Sequence, residues 1–448
     1  MMKYFGTDGI RGIAGAVLDA ELAFRIGRAA GTILHQIGNV RPRVMIARDT
    51  RISCDMLEAA ISAGLCSAGA DVTLLGVLPT PAVAYLTKKT DASMGVVISA
   101  SHNPFEHNGI KLFGRNGYKL SDSLEERIEQ LIDDDSEVLK NVGGDLGRIT
   151  ADHGYWTNEY VKSIAAASEG RYTGKVAIDC ANGASSETAR ALFETLGVEF
   201  FIISDKPDGV NINDNCGSTH IDALQSVVRN GHYDIGFAFD GDADRCLVVD
   251  EHGEVVDGDM ILGALACDML ASGKLKANAV VGTVVSNSGM DVFAQTKNFE
   301  FYRAPVGDRN VLEMMRETGC NLGGESSGHI IFSDDATTGD GQLTAVKFLN
   351  VLISSGKTVS ELVSDIPHYP QVMPGYKLTG GAEQRDAIMS NPRLLSEIAR
   401  QEEILAGEGR ILVRPSGTEP LIRVLVEAKT EALATEKAEL LIDLIKNL

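Results

Sequence analysis

The chain has no CxxC pair: its seven cysteines, Cys54, Cys66, Cys180, Cys216, Cys246, Cys267 and Cys320, are scattered and odd in number. That excludes a disulfide framework and points to reduced thiols in a cytoplasmic protein. No apolar run approaches the roughly 18 residues of a membrane span, and the opening MMKYFGTDGIRG lacks the apolar core of a secretory signal, so no membrane partner is expected. Basic residues are in deficit, 41 Lys and Arg against 62 Asp and Glu, for a formal net charge of −21. A surface of that sign repels the backbone of nucleic acid and excludes it as a partner. Small phosphorylated molecules are not excluded, because a few basic groups focused in a cleft outweigh a distant surface field. No long linker or low-complexity segment interrupts the chain.

What is present is globular in composition, with 44% hydrophobic and 23% charged residues. A chain of 448 residues is too long for one ordinary core. At about 100 to 200 residues per domain it predicts two to four of them, with clefts between.

Apolar runs alternate with helical patterns: 44–46, then a helix near 56–68, then 72–75. The order recurs as KVAID (175–179), SSETARALFETLG (185–197) and VEFFII (198–203), and a third time as AVVGTVV (279–285), a helical stretch over 290–297 and EFYRA (300–304). Each repeat then reaches an apolar segment ending in a polar loop: GVVISASHNP, DIGFAFDGDADR and CNLGGESSGH. In open α/β sheets such loops collect beyond the strand ends, so the three should face one cleft. After about residue 370 the rhythm changes to a strand ILVR, a turn RPSGTEP, a strand IRVLVEA and a terminal helix from 430. The fold class expected is α/β: three related α/β domains with mixed sheets and a smaller α+β C-terminal domain, at about 1–150, 151–252, 253–370 and 371–448.

In the first loop, Ser101 follows an apolar strand and precedes Pro104, whose missing N–H blocks continuation of a ladder or helix. The hydroxyl is expected to be exposed. Ser, His, Asn and Pro are also plain turn formers, so this loop alone does not decide its role. His102 and His107 invite a Ser–His reading, but there is no GxSxG elbow, and adjacent residues of an extended segment point to opposite faces. Lys111 could hold a phosphate as a point charge.

The second loop packs Asp240, Asp242 and Asp244 into five residues between apolar strands. Such crowding needs a cation, and all-oxygen ligands suit Mg²⁺. An EF-hand fails because Arg245 stands where the sharp turn needs glycine. Arg245 can offset the acidic charge or meet a phosphate. The third loop offers Glu325, Ser326, Ser327 and His329, an inventory suited to hydroxyl-rich ligands. The fourth joins Arg414 to the hydroxyls of Ser416 and Thr418 around Gly417, a set suited to anions, with Arg423 near by.

Taken together, FGTDGIRG (5–12), SASHNP (99–104), DGDADR (240–245), GGESSGH (323–329) and RPSGTEP (414–420) resemble the α-D-phosphohexomutase superfamily. The stretch PDGVNIN-x-x-CG (207–217) is most similar to the bacterial members that act on glucosamine phosphates. The resemblance implies four domains around a central cleft, a phosphoserine at Ser101, and Mg²⁺ held by that phosphate with Asp240, Asp242 and Asp244. It implies that Glu325 and Ser327 read sugar hydroxyls, that Lys111, Arg245 and His329 assist proton transfer or stabilise charge, and that Arg414, Ser416, Gly417 and Thr418 grip the non-reacting phosphate. Arg11 should line the same cleft.

The activity implied is interconversion of glucosamine 6-phosphate and glucosamine 1-phosphate through glucosamine 1,6-bisphosphate, on the route to UDP-N-acetylglucosamine. Mannose or glucose phosphates are the alternative substrates, and a sugar phosphatase or a non-catalytic phosphosugar-binding protein the alternative classes. The expected partner is a small phosphorylated sugar, with a homodimer as the expected assembly. The chain departs from the family pattern at Ala47 and Cys54, where glycines are usual, and at Ser326, where glucosamine enzymes carry glutamine.

Overall fold

The computed structural model describes residues 3–6, 8–38, 40–405, 409–416 and 421–448. Three sheets share one plan. In the first, the strand Arg43–Arg48 lies parallel to both Asp71–Val77 and Met94–Ile98, and His107–Gly114 returns antiparallel to the latter. In the second, Lys175–Asp179 is flanked in parallel by Glu199–Ile203 and Ile235–Phe239, and Cys246–Val249 returns antiparallel. In the third, Ala279–Thr283 is flanked by Glu300–Ala304 and Leu322–Gly324, and Ile330–Phe332 returns antiparallel. The mixed sheets therefore follow from one repeated unit whose last parallel strand doubles back. Each polar loop picked out in the sequence is that return.

The first sheet is extended by Phe5–Gly6 and Gly9–Ile13 at one edge and by Ile149–Ala151 at the other, making seven strands. The repeated sequence patterns fold as read, with KVAID and EFYRA forming strands and the intervening patterns forming the helices Ser185–Leu196 and Gly289–Lys297. Helix starts are set by side chains that accept otherwise unpaired backbone N–H groups: Asp19 from Leu22 and Asp340 from Leu343.

One apolar cluster runs through the first three units, from Met45 and Leu75 through Phe193 and Phe237 to Phe293 and Leu352. A second fills the other face of the first sheet. The C-terminal unit is an antiparallel sheet in which Leu421–Ala428 pairs with Gly409–Pro415, Gln371–Val372 and Gly375–Lys377. It is packed by the helices Pro392–Leu405 and Glu431–Lys446 around a core of its own that includes Leu394, Val424 and Leu441.

In the first unit, the helices Ala20–Gln36 and Ser53–Ser67 touch backbone to backbone. A Cβ on Gly27 would lie 2.2 Å from Ile61 O, and one on Gly64 would lie 2.1 Å from Phe24 O. Neither neighbour is a side chain that can swing away, so Gly64→Ala must part the helices. Overpacking of this kind costs about 1–3 kcal/mol. The expected result is a lower urea midpoint for loss of helical circular dichroism, and an unchanged midpoint would show that the crossing can relax.

Candidate active site

Ser101 sits at the return from Met94–Ile98 to His107–Gly114, with its backbone in the left-handed region at φ +52°. For a residue with a Cβ that conformation costs about 1–3 kcal/mol and persists only where the surroundings impose it. Here Ser101 N donates to Ser99 Oγ at 3.0 Å, and Ser99 Oγ donates to Asp49 Oδ2 at 2.6 Å. The expectation of an exposed hydroxyl is corrected: Ser101 is only 2% exposed. The sequence shows that Pro104 stops the ladder, but not that the second unit closes over the turn.

The Ser101 hydroxyl donates to Asp240 Oδ2 at 2.6 Å, and His102 Nδ1 stands 3.3 Å from it. Asp240, Asp242 and Asp244 are all buried, and each offers a carboxylate oxygen within 4.8 Å of the others. Ala243 takes a left-handed φ of +55° and its N–H donates to Asp240 O, which tightens the loop. The loop is held from both sides. Thr80 of the first unit gives its hydroxyl to Asp242 Oδ2 at 2.6 Å, and Gly341 N donates to Ala243 O at 3.0 Å.

Lys111 is the principal counter-charge. It is 1% exposed, with Nζ 2.8 Å from Asp242 Oδ2, 3.1 Å from Asp8 Oδ2 and 3.7 Å from Asp244 Oδ2. Burial opposes its charge, but Asp242 and Asp8 outweigh burial and raise the ammonium well above the ordinary lysine value. Burial likewise pushes Asp242 up, and the Lys111 ammonium and the Thr80 hydroxyl overcome it and hold the carboxyl below its usual range. Asp240 goes the other way. Burial, then Asp244 and Asp242, push it well above the carboxylate range despite Arg245 and the Ser101 hydroxyl. That is the mark of a group whose ionised form needs one more positive charge.

The donor set fits a hard divalent cation. Oδ1 of Asp242 and Oδ1 of Asp244 are buried without a hydrogen-bond partner, and no Cys or His stands among the three ligand oxygens.

Two further loops meet the cluster. His329 Nδ1 is 3.6 Å from Asp244 Oδ1, and Gly339 N donates to its Nε2 at 3.1 Å. Burial lowers the imidazole pKa, but Asp244, Asp308 and Glu325 raise it to about 9. The Gly339 N–H works against that, since an Nε2 that accepts carries no proton. Nδ1, facing Asp244, is the protonated nitrogen in either form. Arg245 places Nε 3.8 Å from Asp244 Oδ1 and is held charged, against burial, by Asp240, Asp244 and Glu325. Glu325 Oε1 accepts from Gly307 N at 3.2 Å, and Ser327 Oγ is buried without a partner. Arg11 pairs with Asp8, which Lys111 shares.

Sequence reasoning missed Asp8, Thr80, Lys119 and Asp308. Lys119 joins the first unit to the third, with Nζ 2.5 Å from Asp8 Oδ1 and 2.6 Å from Asp308 Oδ2. Asp8 lay inside the FGTDGIRG motif and was open to notice. Thr80 and Asp308 carry no local signal.

The C-terminal unit contributes separately. Arg414 and Arg423 face each other across paired strands, burial and Arg423 lower the Arg414 pKa, and Arg414 Nε is buried without a partner. Ser416 N donates to Leu421 O at 2.8 Å. Gly417 and Thr418 lie outside the described residues.

Domain profiles described as phosphoglucomutase/phosphomannomutase alpha/beta/alpha domains I, II and III match residues 2–139, 158–253 and 257–369, and the C-terminal domain profile of the same family matches 377–444. The chain belongs to the phosphoglucomutase/phosphomannomutase family. Among curated relatives, the phosphoglucosamine mutase of Shouchella clausii is 48% identical over 447 residues, covering 100% of this chain and 99% of that one. The phosphoglucosamine mutase of Acetivibrio thermocellus is 47% identical over 448 residues, with the same coverage of both chains. Among solved structures, a phosphoglucomutase/phosphomannomutase family protein from Burkholderia thailandensis superposes with a TM-score of 0.82 at 25% identity, covering 100% of this chain and 98% of that one. An N-acetylphosphoglucosamine mutase from Aspergillus fumigatus, solved with GlcNAc-6P and magnesium, shares the fold at a TM-score of 0.69 and 18% identity, over 100% of this chain and 96% of its own. Among the described residues no helix is long and apolar enough to cross a membrane.

Lys111 is buried and paired with a buried carboxylate, so its loss should be felt in stability. Lys111→Met leaves Asp242 without its ammonium, while Asp8 keeps Lys119 and Arg11, and breaking a buried pair costs about 3–5 kcal/mol. The urea midpoint of the first transition should fall accordingly. A midpoint within error of the parent would mean that water or a proton replaces the ammonium without loss.

Proposed function

We propose that the chain is a phosphoglucosamine mutase, interconverting glucosamine 6-phosphate and glucosamine 1-phosphate by way of a phosphoserine at Ser101 and glucosamine 1,6-bisphosphate. The observation that carries the reading is the 2.6 Å hydrogen bond from the Ser101 hydroxyl to Asp240, at the edge of three clustered carboxylates of which Asp242 and Asp244 each keep an oxygen without a partner. A phosphate on that hydroxyl would lie against Asp240, Asp242 and Asp244. Curated relatives of that name, 46–48% identical along the whole chain, support the choice of substrate.

Asp240, Asp242, Asp244 and the Ser101 phosphate would hold Mg²⁺. When bound, the ion withdraws charge from the phosphoryl group during its transfer. The chain's own residues supply the rest. The phosphoryl group leaves Ser101 Oγ for the free hydroxyl of the sugar phosphate, forming one P–O bond as the other breaks, and the proton that this hydroxyl gives up is matched by the one Ser101 Oγ takes up. The bisphosphate turns over, and its second phosphate returns to Ser101, so no phosphate is lost. Such transfers are catalysed mostly by alignment and neutralisation of charge. Lys111, held charged by carboxylates, supplies positive charge and not a lone pair. Arg245 and Arg11 add to it, and His329 presents its Nδ1–H on the Asp244 side. Glu325 and Ser327 read the sugar hydroxyls. Arg414, whose Nε has no hydrogen-bond partner, and Ser416 grip the phosphate that is not reacting.

Ser101→Ala should lower turnover by roughly 10⁴-fold or more, as loss of a covalent carrier does, with phosphate found on Ser101 of the parent by mass spectrometry. Wild-type turnover in that variant would eliminate the phosphoserine mechanism. On a panel of glucosamine, glucose and mannose 6-phosphates, kcat/KM should favour glucosamine by roughly tenfold or more, and an inverted order would transfer the assignment to a hexose phosphomutase.

Asp242 is 0% exposed, and its removal also takes from Lys111 its nearest carboxylate. Asp242→Asn keeps the shape. It should weaken Mg²⁺ binding, read by calorimetry on the purified protein, by about tenfold or more along with turnover.

A further inference from the structure

The stretch PDGVNIN (207–213) has no part in the chemistry above, yet it folds directly against the Ser101 turn. Ile52 N donates to Gly209 O at 2.8 Å, and Thr50 Oγ1 donates to Asn182 O at 2.5 Å, closing the second unit onto the first. At the centre of this contact is Asn213, 6% exposed, with φ +59° and its N–H donating to Ala181 O at 2.9 Å. Its Nδ2 donates to Ser101 O at 2.9 Å and to Asn103 O at 3.1 Å.

Arg51, fully buried, reaches the same two carbonyls at 2.9 and 2.8 Å, and also bonds Pro104 O. Asp49 fixes that guanidinium through Nε at 2.8 Å. Gly241 of the aspartate loop presses on the same point, since a Cβ there would lie 2.5 Å from Ser101 O and 2.9 Å from Asn213 Nδ2.

A carbonyl oxygen has two lone pairs, and Arg51 and Asn213 occupy both on Ser101. The peptide after Ser101 cannot turn without breaking two buried hydrogen bonds, one of them to a guanidinium. The peptide before it is held by Ser99 Oγ. With both peptides pinned, rotation about χ1 is the freedom left to the hydroxyl. The two pins differ in origin. Arg51 belongs to the serine's own unit, whereas Asn213 belongs to the unit that carries Asp240, Asp242 and Asp244.

We infer that Asn213 is a positioning residue for phosphoryl transfer, tying the strained Ser101 turn to the aspartate-bearing unit so that Ser101 Oγ stays at hydrogen-bond distance from Asp240. The inference rests on Ser101 being the phosphoryl carrier. Misplacement of a reacting atom by about 1 Å costs on the order of 10²-fold in rate, so a loosened turn is read in kcat before it is read in substrate binding.

Two variants test this. Asn213→Gly keeps the left-handed backbone and deletes the donor, while Asn213→Asp keeps the shape and sets a carboxylate oxygen against two carbonyls. In both, kcat with glucosamine 6-phosphate should fall by roughly 10- to 100-fold with KM changed by less than about twofold. Phosphorylation of Ser101 by glucosamine 1,6-bisphosphate, followed by rapid quench and mass spectrometry, should slow by the same factor. Parent-like kcat and phosphorylation rate in either folded variant would assign Asn213 to interface packing alone and overturn the inference. A Ser101→Ala control with parent turnover would instead overturn the phosphoserine reading, so the two failures are separate.

Discussion

Three carboxylates within five residues, none more than 8% exposed, repel one another in a region where water cannot screen them. Nothing within the second unit offsets them fully, because Arg245 is the one cation the loop brings with it. The balance comes from elsewhere: Lys111 and Thr80 from the first unit and His329 from the third. The acidic loop is therefore stable only where three units meet. The joint between units and the chemistry of the site are one electrostatic arrangement. The same arrangement explains why Asp242 and Asp240 titrate in opposite directions although they are two residues apart. Asp242 has its ammonium at 2.8 Å, and Asp240 has a neutral hydroxyl at 2.6 Å.

The repeated unit makes that meeting possible. A strand that doubles back at the carboxyl end of a parallel sheet exposes one loop at a fixed place, and three copies packed through a shared apolar cluster present three loops to each other. Beyond the added edge strands, the loops are where the copies differ most in chemistry. The strands around them are nearly uniform in burial, while the loop residues differ in charge, in hydroxyl content and in which backbone positions are left-handed, as at Ser101 and Ala243.

The plan of the fold was legible because period and repetition survive in the chain: apolar strands, helical stretches and a polar return, three times over. The members of the site were legible where they sit in one segment, as with Asp240, Asp242 and Asp244, or within a quoted motif, as with Ser101 and Glu325. What was not legible is pairing across units. Thr80, Lys119 and Asp308 are ordinary residues in ordinary segments, and only the packing of one unit on another gives them carboxylate or ammonium partners. The exposure expected for Ser101 failed for the same reason, since a loop that looks solvated beside its own strand is covered by a neighbour. PDGVNIN shows the converse. The stretch was conspicuous in the sequence, and its role became readable only with Asn213 seen against two carbonyls of the first unit.

The C-terminal unit stands apart in how it is joined. Its core is its own, and it meets the third unit through polar contacts: Ser288 N donates to Glu427 Oε2 at 3.0 Å, Gln371 Nε2 to Val285 O at 3.3 Å, and Arg410, held by Glu427 of its own unit, to Ser286 O. Polar interfaces of this kind resemble transient ones more than permanent ones, whereas the first three units would have to open an apolar core to shift. Relative motion of the fourth unit is thus the least costly rearrangement the chain offers. Arg414 and Arg423 lie on that unit, facing each other on paired strands. Under the proposed function, a phosphate grip on a unit that can swing, together with a serine turn pinned by five hydrogen bonds to the Ser101 carbonyl, the Ser101 amide N–H and the carbonyl of Asn103, would suit a bisphosphate that must present first one end and then the other to a single fixed oxygen.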